Sequence, residues 1–255
     1  MSETNHAFQA QETTTSDIFY KIATTQAERE AAFRLVYRSY YNAGLTDPNA
    51  RALRVTPYHL LPTTELFVAV CRGEPILTMT LVTDGELGLP MEVVYGDEVE
   101  GLRAEQLRLA EVTCLADRRE HFSRFFPVFL GLSRLILQYC RKQGLDRLMA
   151  AVHPRHARFY KRFLGFCPAG PQREYPTVRN NPAVALSLDL QRFEQDRPEL
   201  HDTFFGQPIA DVMLRPQPIL ADQRAYFETM IDTRFSFAPL PDSQSSATGT
   251  SVATP

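Results

Sequence analysis

Apolar residues recur with a period of two in some stretches of this chain and with a helical period in others, and the two alternate. Asp17 to Ala23 reads as a first strand. Thr24 or Thr25 then caps a helix through Tyr41 with an apolar stripe of Ala32, Leu35, Val36 and Tyr40, and Gly44 stops it. Glu65 to Cys71 and Ile76 to Thr83, joined at Arg72-Gly73-Glu74-Pro75, predict an antiparallel hairpin. A turn and a short helix are expected within Gly85 to Gln106, before the strand Arg108 to Ala116. A helix from about Phe126 to Gln143 follows, with Pro127 in its first turn. Arg147 to Val152 is the next strand, and Pro154 to Leu164 is a short helix ended by Gly165. Glu174 to Val178 and Ala183 to Leu190 complete the sheet. Beyond Asp196 the helical signal is weak, around Ile209 to Leu214 and Ala221 to Ile231.

This pattern divides the chain into a disordered polar start (1–16), an α/β core (17–195), a C-terminal appendage packed on it (196–238) and a low-complexity, disordered tail (239–255). A length of 255 residues is enough to bury a full core, and 44% apolar content is ordinary for a soluble protein. A net charge of -3 gives no global reason to expect nucleic acid. The start of the chain lacks the basic and then apolar run of a secretory signal, and no apolar stretch reaches transmembrane length. Four dispersed cysteines form no C-x-x-C pair, which favours reduced thiols. A cytoplasmic location is expected.

The strand 108–116 is apolar on both faces and so belongs inside the sheet, which makes Glu111 stand out. Alternation puts Leu109, Glu111, Thr113 and Leu115 on one face and Ala110, Val112, Cys114 and Ala116 on the other. A carboxylate buried there must find a partner, shift its pKa or line a cavity. It is either a structural glutamate or a working one. The Pro-punctuated stretch Leu45 to Pro62 carries Arg51, Arg54, Tyr58 and His59, more functional side chains than a connector needs, while Leu53, Val55, Leu60 and Leu61 favour packing. Cys114 is a core residue on this pattern. His153 and His156 are interrupted by Pro154 and suit capping better than metal binding, so no metal site is expected.

The order of elements, together with FYKRFLGF at 159–166, resembles the GNAT acyltransferase fold: a mixed central sheet flanked by helices, here with a C-terminal appendage. GNAT enzymes that use coenzyme A carry a glycine-rich loop between the central strand and the long helix, where backbone amides cradle the pyrophosphate. The corresponding segment here, Asp117 to Phe126, has no glycine. The runs LRVTPYHLLPTTELFVAV, LGLPMEVVYGDEVEGLR and RLAEVTCLADRR resemble the bacterial N-acyl amino acid synthases, relatives of the acyl-homoserine-lactone synthases. The likeness spans about residues 17 to 190. The lactone synthases carry a Glu-x-Ser-Arg-Phe-like signature that falls on Glu111, Thr113, Cys114 and Leu115. Cysteine in the arginine position argues against a lactone product.

The resemblance implies transfer of a long-chain fatty acyl group from acyl carrier protein to the amine of an amino acid. The acyl group is supplied on the carrier's phosphopantetheine, with no further cofactor. Glu111 is then the candidate base and Thr113 its orienting neighbour. Arg54 and Tyr58 are candidates for the acceptor, Phe125, Phe126 and Phe129 for the acyl chain, and Arg118, Arg119 and Arg124 for the acidic carrier. Arg155, Arg158, Lys161 and Arg162 flank the same side. Tyr160 occupies the position where CoA-dependent relatives place a thiolate-protonating tyrosine. The alternatives are a CoA-dependent GNAT acyltransferase or a lactone synthase, and, outside catalysis, an acyl-chain or carrier-binding module that has kept the fold.

Overall fold

The computed structural model describes residues 18–118 and 122–232, with the side chains of 122–124 excepted. The disorder expected for 1–16 and 239–255 falls outside them. Eight strands form one mixed sheet. Strand β1 (Ile18–Ile22) lies at one edge, beside the hairpin of β2 (Thr64–Cys71) and β3 (Glu74–Thr83). The hairpin turns at Arg72 and Gly73, both at positive φ. Then come β4 (Leu109–Asp117), β5 (Arg147–Val152) and β8 (Asn181–Asp189), with β6 (Cys167–Pro168) and β7 (Arg173–Tyr175) both pairing β8. β4 is central, as its two-sided apolar pattern predicts.

Two helices cover one face. α1 (Gln26–Asn42) starts with a capping box in which the Thr25 side chain accepts from the Glu28 N–H and Glu28 reaches back to Thr25. α2 (Glu92–Ala104) packs Tyr95 and Val99 with Leu109, Met149 and Ala185. The other face is covered by α3 (Phe122–Lys142) and α4 (Pro154–Leu164), which bury Phe129, Leu132, Ile136 and Tyr160 on Met79, Val112 and Leu148. α3 begins a turn earlier than the periodicity predicts, so Pro127 sits inside the helix rather than in its first turn. α4 ends at Gly165, whose φ of 81° is the left-handed conformation a C-cap requires.

Beyond β8 the chain wraps both layers. α5 (Phe193–Asp196), α6 (Pro198–Phe205) and a 3-10 turn (Asp211–Leu214) bury Phe193, Phe204 and Leu214 in the α3-side core. α7 (Ala221–Glu228) crosses to the α1 side, where Phe227 meets Phe33 edge-on at 5.1 Å. The chain then forms a parallel bridge between Ile231 and Val55.

Two features of β4 set the surroundings of Glu111. Its parallel pairing with β5 covers only Leu109 to Glu111 against Arg147 to Met149, after which both strands continue without pairing each other. A β-bulge also interrupts its pairing with β3, between Thr80↔Thr113 and Thr78↔Ala116, so that Cys114 and Leu115 together oppose Met79.

Candidate active site

Glu111 lies on the α1 face at the last residue before β4 and β5 part, and only 1% of its surface is exposed. The start of α2 reaches it: the Met91 N–H donates to Oε2 at 2.7 Å. Burial nevertheless dominates, and with Glu92 nearby it pushes the Glu111 carboxyl from 4.5 up to about 8. A carboxyl balanced near neutrality in this way can both take up and release a proton. Glu92 itself is ion-paired with Arg103, which also grips Asp84 through two bonds of 2.7 Å, so the second carboxylate is fixed in place.

Three tyrosines converge on the same face. Tyr58, half-buried, is pushed up to about 12 by burial and by the fields of Glu111 and Glu92. Tyr175 donates to the Pro90 carbonyl at 2.9 Å and is raised well above its ordinary value, by burial first and then by Glu111 and Tyr58. Tyr40 is raised by burial and contacts Cys114. Sequence periodicity places Tyr40 only in the apolar stripe of α1 and gives Tyr175 no role; the packing of α1 on the sheet and the position of β7 bring them together. All three hydroxyls are therefore protonated at neutral pH, and that of Tyr175 already donates to Pro90.

The bulge changes the assignment of faces. Cys114 has φ +52°, which turns its side chain onto the α1 face with Leu35, Val36 and Ala116. Strict alternation assigned it to the opposite face from Glu111. Leu115, assigned to the Glu111 face, packs instead with the α3-side core. The inserted residue accounts for both corrections, because one extra residue inverts the alternation beyond it. The Cys114 thiol is pushed up by burial, so it is a protonated wall of the site rather than a nucleophile. Thr113 is half-buried, opposite Thr80, with its hydroxyl 4.0 Å from Cys114 Sγ.

Arg54 is buried beside this cluster, 3% exposed, with its guanidinium 4.9 Å from the Tyr40 ring centre. It donates to the Thr177 carbonyl at 3.1 Å and to Asp232 Oδ2 at 3.3 Å. His59 orders the same loop. Its Nδ1 accepts from the Thr56 N–H at 3.0 Å, which leaves Nε2 to donate to the Thr80 hydroxyl at 3.3 Å. Burial, Arg54 and Arg29 lower its pKa to about 3, so it is a neutral strut.

The aromatic candidates lie on the opposite face. Phe129 is fully buried and Phe125 and Phe126 are half-buried. With Phe159 and Phe163 of α4 they form one ring cluster with centroids 4.9 to 6.3 Å apart. Behind it, Val112, Phe129 and Tyr160 line a cavity of about 20 Å³, room for about one water. Tyr160 is thus on the α3 face, whereas Tyr40 is on the α1 face. Among the basic candidates, Arg118 is exposed at the end of β4 and lines a groove of about 510 Å³ with Arg34 and Arg38. Glu30, Glu74 and Asp117 line it too, so that groove is balanced in charge. Arg119 and the Arg124 side chain lie outside the described residues. α4 is one-signed: Arg155, Arg158, Lys161 and Arg162 are all exposed and the helix has no acidic residue. His153 caps it, its Nδ1 accepting from the Arg155 N–H at 3.2 Å. Among the described residues no group of three His, Cys, Asp or Glu is placed to hold a metal ion, and no helix is long and apolar enough to cross a membrane.

Residues 31–189 match the family model for the N-acyl amino acid synthase FeeM. The solved structure of FeeM, an N-acyl amino acid synthase from uncultured soil microbes, is 28% identical with a TM-score of 0.63, over 70% of this chain and 93% of its own. The acyl-homoserine-lactone synthase LasI is 13% identical with a TM-score of 0.58, over 76% of this chain and 96% of its own. The CoA-dependent lactone synthase BjaI is 16% identical with a TM-score of 0.52, over 83% of this chain and all of its own. These last two share the GNAT-like fold. No curated protein matches the sequence. With more than half of its length matched to one family and that family's fold reproduced around a buried glutamate, the chain belongs to the FeeM family of N-acyl amino acid synthases and is an N-acyltransferase.

Proposed function

We propose that this acyltransferase moves a long-chain fatty acyl group from the phosphopantetheine thioester of acyl carrier protein to the amine of an amino acid. The observation that carries this reading is Glu111: a carboxyl pushed up to about 8, on the strand where β4 and β5 separate and leave backbone edges for an extended ligand. The thioester would enter that separation from the end of β4. The chain's own groups then suffice for the chemistry, with no metal and no further cofactor. Glu111 takes a proton from the acceptor ammonium, directly or through a water that Thr113 orients, and so frees the nitrogen lone pair. The nitrogen attacks the thioester carbon, the C–N bond forms and the C–S bond breaks. The second nitrogen proton goes to the departing thiolate, with Tyr160 or Tyr40, both protonated, as donors on either side of the gap.

The ring cluster of Phe125, Phe126 and Phe129 is the apolar surface next to that path, and an acyl chain entering there would part the rings that now enclose about 20 Å³. The basic face of α4, with Arg118 exposed at the end of β4, suits an acidic carrier protein better than a small nucleotide. Arg54, buried beside Tyr40 and Cys114, suits the acceptor's carboxylate.

The test is reaction of the purified protein with acyl carrier protein loaded with a long-chain acyl group and each of the twenty amino acids, with products read by mass spectrometry. An N-acyl amino acid is expected from the wild type. Glu111→Gln should fold normally and form it roughly a hundredfold more slowly. Near-normal turnover in a folded Gln variant would remove Glu111 from the mechanism.

A further inference from the structure

Asp232 stands 178 residues from Arg54 in sequence and is its ion-pair partner in the structure. The pair is enclosed: the side chain of Arg54 is 3% exposed and that of Asp232 10%. Asp232 is held there from both sides, since its N–H donates to the Val55 carbonyl at 2.8 Å and its neighbour Ile231 bridges Val55. The segment that delivers it lies beyond the family match, which ends at residue 189.

The pairing bears on the role of Arg54 as the acceptor's anchor, on which the inference rests. A guanidinium buried beside Tyr40 and near His59 would be costly without a carboxylate, yet a binding site has to be vacant before its ligand arrives. We infer that Asp232 is a specificity-determining residue: its carboxylate holds the place of the acceptor's carboxylate on Arg54 and is displaced when that carboxylate binds. Exchange of one carboxylate for another leaves the buried cation paired throughout. An amine without a carboxylate has nothing with which to displace Asp232 and meets an occupied arginine. Two carboxylates on one guanidinium in this enclosed place would repel each other, so acceptor and Asp232 compete. The apparent acceptor affinity is lowered by the fraction of chains in which Asp232 is seated.

The amino acid that turns over best with the wild type is compared with the amine made by removing its carboxyl group. Asp232→Asn keeps the backbone bond and the size of the side chain but removes the charge. It should lower the KM of the amino acid about fivefold or more and leave that of the amine within twofold. Asp232→Glu, which keeps the charge, should stay close to the wild type for both. An unchanged or raised amino-acid KM in a folded Asn variant, or an equal change for both acceptors, overturns the inference. If the variants fail to fold, hydrogen exchange on the wild type decides. Saturating amino acid should speed exchange in the peptide covering 226–232 and the amine should not, and identical exchange with either overturns the inference. A wild type that acylates no amino acid overturns the function proposed above and this inference with it. Turnover with an unaltered preference overturns the role of Asp232 alone.

Discussion

Glu111, the proposed base, is a residue whose environment works against its charge. Glu111 gains one backbone N–H from Met91, but loses more by leaving water, and Glu92 adds to the loss. The folded protein therefore holds the Glu111 proton up to about pH 8, whereas the unfolded chain gives it up near 4.5. Rate and stability should consequently respond to pH in opposite directions. If Glu111 is the base, kcat/KM should rise with pH through a midpoint near 8, and this rise should be absent in Glu111→Gln. The stability that the bound proton contributes is complete below about 4.5, declines as pH increases and is gone above about 8. The Gln variant should accordingly lose less stability than the wild type between those values, as measured by urea unfolding at several pH values. A wild-type rate that is flat across pH 6 to 9, or set by a midpoint that survives in Glu111→Gln, would assign proton uptake to another group.

At the scale of the element, the bulge in β4 decides which side chains share a wall. Its inserted residue is Cys114 at φ +52°, a conformation that a β-branched side chain adopts only under strain. Cys114→Ala should thus retain acyl transfer within a few-fold, because the protonated thiol lines the site and does not react. Cys114→Val should be roughly 2 kcal/mol less stable than the Ala variant, about 4–8 °C in Tm for a chain of this size. A Val variant as stable as Ala, or an Ala variant without activity, would contradict this account of the bulge. The sequence carried the caps, the hairpin, the helices α1 to α4 and α7 and the centrality of β4, because these depend on periodicity and local turn chemistry. α5 and α6 were not legible, and the strand expected over Glu174 to Val178 ends at Tyr175, where Pro176 opens a 3-10 turn. The sequence did not carry the bulge, because one inserted residue changes no composition and merely shifts a register against β3. Tyr175 and Asp232 were hidden, and Tyr40 was legible only as part of a helix stripe, for a different reason: they come together from elements remote in sequence. Glu111 was legible because a carboxylate on an otherwise apolar strand conflicts with its own local pattern.

On the scale of the whole molecule, the question is which donor the surface receives. A nucleotide pyrophosphate is bound over a short range by backbone amides, whereas an acidic protein is drawn over about a Debye length by clustered cations. The segment 117–126 has no glycine to bring amides close, while α4 and Arg118 present five exposed cations around the end of the sheet where β4 and β5 part. The same acyl chain should therefore be transferred far faster from acyl carrier protein than from CoA, and the advantage should shrink as salt is raised from about 50 to about 500 mM, since screening acts on the long-range attraction. Reversing Arg118 and Arg119 to Glu should slow the carrier-dependent reaction roughly tenfold or more, mainly through the carrier's KM, and leave slow CoA-dependent turnover nearly unchanged. Glu111 and its tyrosines are untouched by that substitution, so a loss shared equally by both donors would point to a damaged site. Faster transfer from acyl-CoA at physiological salt would overturn the carrier assignment and make this chain a CoA-using acyltransferase with an unusual loop.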